Sequence, residues 1–95
     1  MTMKNISQVD SVIWRRIEDD IVVISEDGLT THILNKTAAF VWELCDGKNG
    51  SDEITASLLE RFDVSEEEAK ADIIEIIDKL LQLGILKQDG ETAGN

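Results

Sequence analysis

The sequence predicts an α+β domain, a three-stranded antiparallel meander followed by three helices. Three observations carry that expectation. β-branched and aromatic residues crowd positions 11–34 around an Asp-Gly pair, helix-capping residues stand at Asn35 and Ser65, and the apolar spacing changes from strand-like to helical after Asn35. The 95 residues suffice for one modest core, and 42% apolar against 31% charged residues suits a folded domain.

Residues 1–10 are polar and without period, so they are expected to form a flexible N-terminal arm, with the domain proper at 11–87 and a disordered tail at 88–95. Residues 11–17 (SVIWRRI) read as a strand with Val12, Trp14 and Arg16 on one face and Ile13, Arg15 and Ile17 on the other. Glu18, Asp19 and Asp20 are a polar break, and residues 21–25 (IVVIS) form a short apolar run suited to a covered strand. Asp27 and Gly28 supply the two positive-φ positions of a two-residue type I′ turn. That loop length sets Ile24 opposite Thr31, Val23 opposite His32 and Val22 opposite Ile33. The third strand, residues 30–34, has no later strand to pair with, which leaves one edge open.

Asn35 is a good N-cap, since its side-chain oxygen can accept from a free N–H in the first turn. The helix that follows places Ala38, Val41, Trp42 and Cys45 on one face and Phe40 and Leu44 on another, until Asp46 and Gly47 stop it. Gly50 and Ser51 begin a second helix, with Asp52 and Glu53 placed favourably against its dipole and Ile54, Leu58 and Phe62 as its inner stripe. Ser65 and Glu68 form a capping box for a third helix over 65–83. There Ala69, Ile73, Ile76, Leu80 and Leu83 are expected in the core, and Asp72, Glu75, Asp78, Lys79 and Gln82 in water. A second stripe, Lys70, Ile74, Ile77 and Leu81, gives this helix more apolar width than a lone surface helix needs. Ile85, Leu86 and Lys87 are expected as a brief return segment.

The net charge of −11 repels phosphate backbones and anionic membrane surfaces, so neither nucleic acid nor membrane is the expected partner. A basic or neutral peptide or protein fits better, beside the plainer reading that the charge keeps a small domain soluble. No apolar run is long enough to span a bilayer, and the N-terminus lacks the apolar core of a secretory signal. The one cysteine, Cys45, cannot close an internal disulfide, which fits a cytoplasmic protein. His32 has no second imidazole or thiol with which to hold a metal, and no nucleophile in its segment. Cys45, Trp14 and Trp42 read as core, and Glu66, Glu67 and Glu68 as a helix start rather than a cation site. The residues suggest no enzyme and no cofactor. An open strand edge and a spare helical stripe suggest two walls of a groove that takes an extended peptide by strand addition. The plainer reading packs the stripe under the N-terminal arm or a dimer partner.

The run ILNKTAAFVWELCDG resembles the signature of the PqqD family, the RiPP recognition elements, in which Leu-Asn precedes a small-residue helix ending in Trp-x-Leu-x-x-Gly. The matching residues are Leu34, Asn35, Thr37, Ala38, Ala39, Trp42, Leu44 and Gly47. Leu58, Phe62 and Val64, then the long helix through DIIEIIDKLLQLGIL, agree in order, so the resemblance covers about residues 11–87. It implies a winged helix-turn-helix-like fold and a non-catalytic chaperone. Members of the family bind the leader of a ribosomally made precursor peptide and present it to a modifying enzyme, a radical S-adenosylmethionine protein in pyrroloquinoline quinone synthesis. Carried over by position, one wall is Thr30, Thr31, His32, Ile33 and Leu34, and the other Lys70, Ile74, Ile77 and Leu81. The competing readings are a winged-helix DNA-binding regulator, whose third helix would here offer mostly carboxylates to a major groove, and an interaction domain that dimerises through the same edge.

Overall fold

A computed structural model describes residues 5–88; the expectations for residues 1–4 and 89–95 lie outside the described residues. The α+β class holds, with a three-stranded antiparallel sheet and three helices in the expected order. Strand β1 covers Ile6–Gln8, β2 Ile13–Ile17, β3 Asp20–Ile24 and β4 Thr31–Leu34. Helix α1 covers Lys36–Leu44, α2 Ser51–Arg61 and α3 Glu66–Gln82, and strand β5 covers Leu86–Gln88.

The meander runs β2-β3-β4 in the expected register, with Val22 opposite Ile33, Val23 opposite His32 and Ile24 opposite Thr31. Its second turn is not type I′. Gly28 has φ +74, but Asp27 is not among the positive-φ residues. The Ser25 carbonyl accepts the Gly28 N–H at 2.9 Å, and the Ser25 N–H donates to the Thr30 carbonyl at 2.9 Å, so a four-residue loop separates Ser25 from Thr30. The Asp27 side chain selects this form: its Oδ1 accepts the Ser25 hydroxyl at 2.6 Å and the Leu29 N–H at 2.9 Å. Those bonds, the Ser25 one first, hold the Asp27 carboxyl below its ordinary pKa. At the other turn Glu18 takes φ +57 between the paired residues Ile17 and Asp20.

Alternation divides the sheet into two faces. Ile21, Val23 and Leu34 point into the core, and Ile13, Ile17 and Ile33 point out and are exposed. Trp42 of α1 is fully buried and meets the half-exposed Trp14 ring edge to face, 6.2 Å between centroids. Ile54 and Leu58 of α2 and Ala69, Ile73, Ile77 and Leu80 of α3 complete the core. Phe40 and Phe62 stack edge to face at 5.4 Å and hold α1 to the end of α2.

The expected N-terminal arm is corrected in its described part. Ile6 is fully buried, and β1 pairs antiparallel with β5, with Ile6 opposite Gln88. The reason is the end of α1, whose last carbonyls lack the i+4 partners of the helix interior. Gln8 donates to two of them, from its N–H to Cys45 at 3.1 Å and from its side chain to Trp42 at 3.0 Å. The Gly47 N–H returns a bond to the Ile6 carbonyl at 3.0 Å. The domain therefore begins by Ile6 and runs through Gln88, the first residue of the expected tail.

The N-cap residues act as expected, but of the capping box expected at α3 only the Ser65 half is formed. Asn35 Oδ1 accepts the Ala38 N–H at 3.0 Å, and Ser65 Oγ accepts the Glu68 N–H at 3.1 Å. The Glu53 carboxylate accepts the Gly50 N–H at 2.8 Å at the start of α2. Gly84, with φ +79, follows the C-cap Leu83 of α3 in a conformation that glycine adopts without steric cost, and Gly47, with φ +87, lies two residues beyond the C-cap Cys45 of α1.

Candidate functional site

The site begins with the hydrogen bonding of β4. In an antiparallel ladder, bonded and non-bonded pairs alternate. The bond from the Ser25 N–H to the Thr30 carbonyl makes that pair a bonded one. Stepping along the register, His32 and Leu34 bond to Val23 and Ile21, whereas the backbone groups of Thr31 and Ile33 point away from β3. The β2 side agrees: the turn-closing pair Ile17 and Asp20 assigns Val22 and Ile24 to β2 and leaves Val23 for β4. Among the described strands none lies beyond β4. Its outer edge thus presents two N–H and two carbonyl groups, from Thr31 and Ile33.

The side chains of β4 follow the opposite alternation. Leu34 is 5% exposed and points inward, His32 is half-buried on the same face, and Ile33 stands outward at 71% exposure. Thr30 precedes the strand and belongs to the turn, its N–H donating to Ser25 Oγ at 3.2 Å. A strand added beside β4 would be held by Thr31 and Ile33 through backbone, and its inward side chains would lie alongside those of His32 and Leu34.

What those side chains would meet is a groove of about 630 Å³ between β4 and α3. β4, Asn35, Thr37 and Ala38 form one wall, and Asp72, Glu75, Ile76, Lys79, Leu80 and Leu83 form the other. Of the expected strand wall, Thr31, His32, Ile33 and Leu34 line this groove and Thr30 does not. None of the residues expected on the helix wall lines it. Ile77 is fully buried in the core, Lys70 pairs with Glu66 across one turn at 3.4 Å, and Ile74 is 48% exposed. Leu81 is half-buried against the core, and none of these four residues lines the groove.

The physical reason is the handedness of the helical wheel. At 100° per residue, Asp72, Glu75 and Lys79 fall on one side of the buried stripe of Ala69, Ile73, Ile77 and Leu80, whereas Lys70, Ile74 and Leu81 fall on the other. Periodicity finds both flanks and cannot say which one faces a strand. The missed signal lay in the polar flank, where Ile76 and Leu83 stand among Asp72, Glu75 and Lys79. Helical spacing predicts both in the core; Ile76 is half-buried and Leu83 is 42% exposed, and both line the groove.

The direction of α3 across the groove follows from a second hollow, which sets Leu83 and Gly84 beside Ser25, Glu26 and Asp27. The end of α3 therefore lies at the β3–β4 turn, and the helix runs antiparallel to β4, with Asp72 toward Leu34 and Asn35.

The one thiol is muted. The Cys45 thiol is buried, donates to the Val41 carbonyl at 3.2 Å, and has its pKa pushed up to about 12 by desolvation and then by Asp46. It is a neutral thiol at neutral pH. Among the described residues no group of three or more His, Cys, Asp or Glu could hold a metal ion, and no helix is long and apolar enough to cross a membrane.

Comparison with known proteins adds the following. A family model described as coenzyme PQQ synthesis protein D (PqqD) matches residues 20–86. No curated protein matches the chain. Among solved structures, TbiB1 in complex with the TbiA(beta) leader peptide is similar at a TM-score of 0.77 and 20% identity, over 92% of this chain and 99% of that one. A lasso peptide synthetase B1 complexed with its leader peptide is similar at 0.74 and 20% identity, over 87% and 98%. The PqqD truncation of Methylobacterium extorquens PqqCD, described as a functional, stand-alone RiPP recognition element, is similar at 0.71 and 25% identity, over 87% and 88%.

Proposed function

The chain belongs to the PqqD family, and we propose that it is a non-catalytic recognition element that captures the leader of a ribosomally made precursor peptide as an added strand on β4. The observation that carries this reading is the open edge of Thr31 and Ile33 beside a groove walled by α3. Two proteins of similar fold hold leader peptides, and a third is a recognition element by description. The bound leader is presented to a modifying enzyme, of the radical S-adenosylmethionine type or similar, in the cytoplasm where the precursor is made. Dimerisation through β4 would occupy the same edge, so it and peptide capture exclude one another.

Magnitudes show why the groove is needed beside the edge. Four backbone hydrogen bonds contribute about 0.5–1.5 kcal/mol each, together about 2–6 kcal/mol. Micromolar affinity requires about 8 kcal/mol beyond the cost of immobilising the peptide. Apolar contact with Ile76, Leu80 and Leu83 must supply the difference, at about 25 cal/mol per Å² buried.

Ile33→Pro tests the reading directly. Proline removes an N–H that faces the open edge and takes no part in the β3–β4 ladder, a position at which edge strands tolerate it. Leader segments from short precursor genes neighbouring this one, titrated against the protein, should shift the amides of Thr31 to Leu34. The variant should bind about tenfold more weakly while its circular dichroism is preserved. Equal affinity of folded Ile33→Pro for those segments removes strand addition at β4 from the proposal.

A further inference from the structure

The groove has an electrostatic direction. Along α3, from the Leu34 end of β4 to its Thr31 end, the wall begins with Asp72 and Glu75, continues with Ile76 and Lys79, and finishes on Leu83. Asp72 is half-buried, Glu75 is exposed, and none of the three charged groups has an ion-pair partner among the described residues. Lys79 stands one turn from Glu75 without pairing to it. The β4 wall of the groove offers no lysine, arginine or carboxylate in return.

Eleven residues of helix separate Asp72 from Leu83, about 16 Å at 1.5 Å per residue. A strand of about five residues spans that distance at 3.3 Å per residue. Its alternate, inward-facing side chains therefore meet the whole sequence from carboxylate to apolar. Resting on the proposed strand addition at β4, we infer that the groove selects leaders that carry a basic side chain at the end lying beside Leu34, followed by apolar residues at the inward positions toward Thr31. For antiparallel addition, the pairing this sheet already uses, the basic residue lies N-terminal to the apolar ones.

The overall charge of −11 attracts any cation from a distance, so the test must separate local selection from that field. A phage-displayed library of random twelve-residue peptides, panned on the full chain, supplies the probe. Enriched peptides should alternate apolar residues behind a lysine or arginine. Asp72→Lys with Glu75→Lys should weaken their binding about tenfold, and the milder Asp72→Asn with Glu75→Gln several-fold. The control pair Glu67→Lys with Asp78→Lys makes the same change of net charge away from the groove and should stay within about twofold.

Peptides that lose binding on Ile33→Pro yet show no basic bias, or that weaken equally with both charge-reversed pairs, overturn this inference and leave strand addition standing. Enriched peptides indifferent to Ile33→Pro, or no enrichment at all, overturn strand addition and this inference with it.

Discussion

β2 and β4 are the two outer strands of one sheet, each without a further neighbour among the described strands, and they differ in what stands at their edges. By the same alternation that frees Thr31 and Ile33 on β4, the free backbone groups of β2 belong to Trp14 and Arg16. Arg16 is engaged there: its guanidinium holds Glu43 of α1 at 2.7 and 3.0 Å and donates to the Glu18 carbonyl at 3.1 Å. Arg15 stands beside it on the outer face, and Trp14 lies against Trp42. Charged side chains along an edge deter a second strand, because pairing would strip water from them. β4 carries no lysine, arginine or carboxylate, and its inward side opens on a groove rather than on an ion pair. An unpaired edge is thus not by itself a binding site; what the neighbouring helix does with the space beside it decides.

The two flanks of α3 give the largest effects with which to break that comparison. Ile77→Asp puts a carboxylate among fully buried residues and should cost more than about 4 kcal/mol, enough to unfold a small domain, as thermal or urea unfolding would show. Survival of the fold would mean that α3 can turn in its seat and that the groove wall is not fixed. Leu83→Asp comes next. It should lower affinity for a bound leader about tenfold and leave stability nearly unchanged, since the side chain is 42% exposed. Ile74→Asp on the opposite flank should stay within about twofold. Equal losses at the two sites, by calorimetric titration, would erase the distinction between the flanks.

The smallest effect concerns β2. The Arg16–Glu43 pair is about 40% exposed at both partners and stabilises by no more than about 1 kcal/mol. Arg15→Thr with Arg16→Thr should therefore barely move the melting temperature, yet expose a second bare edge. Sedimentation at high concentration should then show self-association beyond that of the parent chain. A monomeric double variant would mean that the arginines are not what guards β2.

How much of this was legible in the sequence depended on how local the cause was. The β3–β4 register followed from apolar runs flanking Gly28, and the helix starts from Asn35, Gly50 and Ser65, because each depends on residues within a few positions. The turn type escaped because Asp27 spends its carboxylate on Ser25 and Leu29, a side-chain preference that competes with the positive φ a type I′ turn needs. β1 escaped because its three residues are held by partners some 40 and 80 positions away, which leave no period in so short a strand. The strand wall of the groove was legible through its lack of a later neighbour. The helix wall was not, since a wheel drawn from sequence has two flanks and only the packed direction of α3 against β4 distinguishes them.

The pairing of β1 with β5 bears on how such a unit can be carried. Ile6 lies opposite Gln88, so the points at which the chain enters and leaves the folded unit are neighbours on one ladder, whose other side is anchored to the end of α1. A module with adjacent ends can be joined to another protein through either end, or set into one of its loops, without drawing its strands apart. The attachment would sit on the two-stranded ladder, in a different sheet from β4. Such a tether would leave the open edge unobstructed and raise the local concentration of whatever β4 holds near the protein to which the unit is joined.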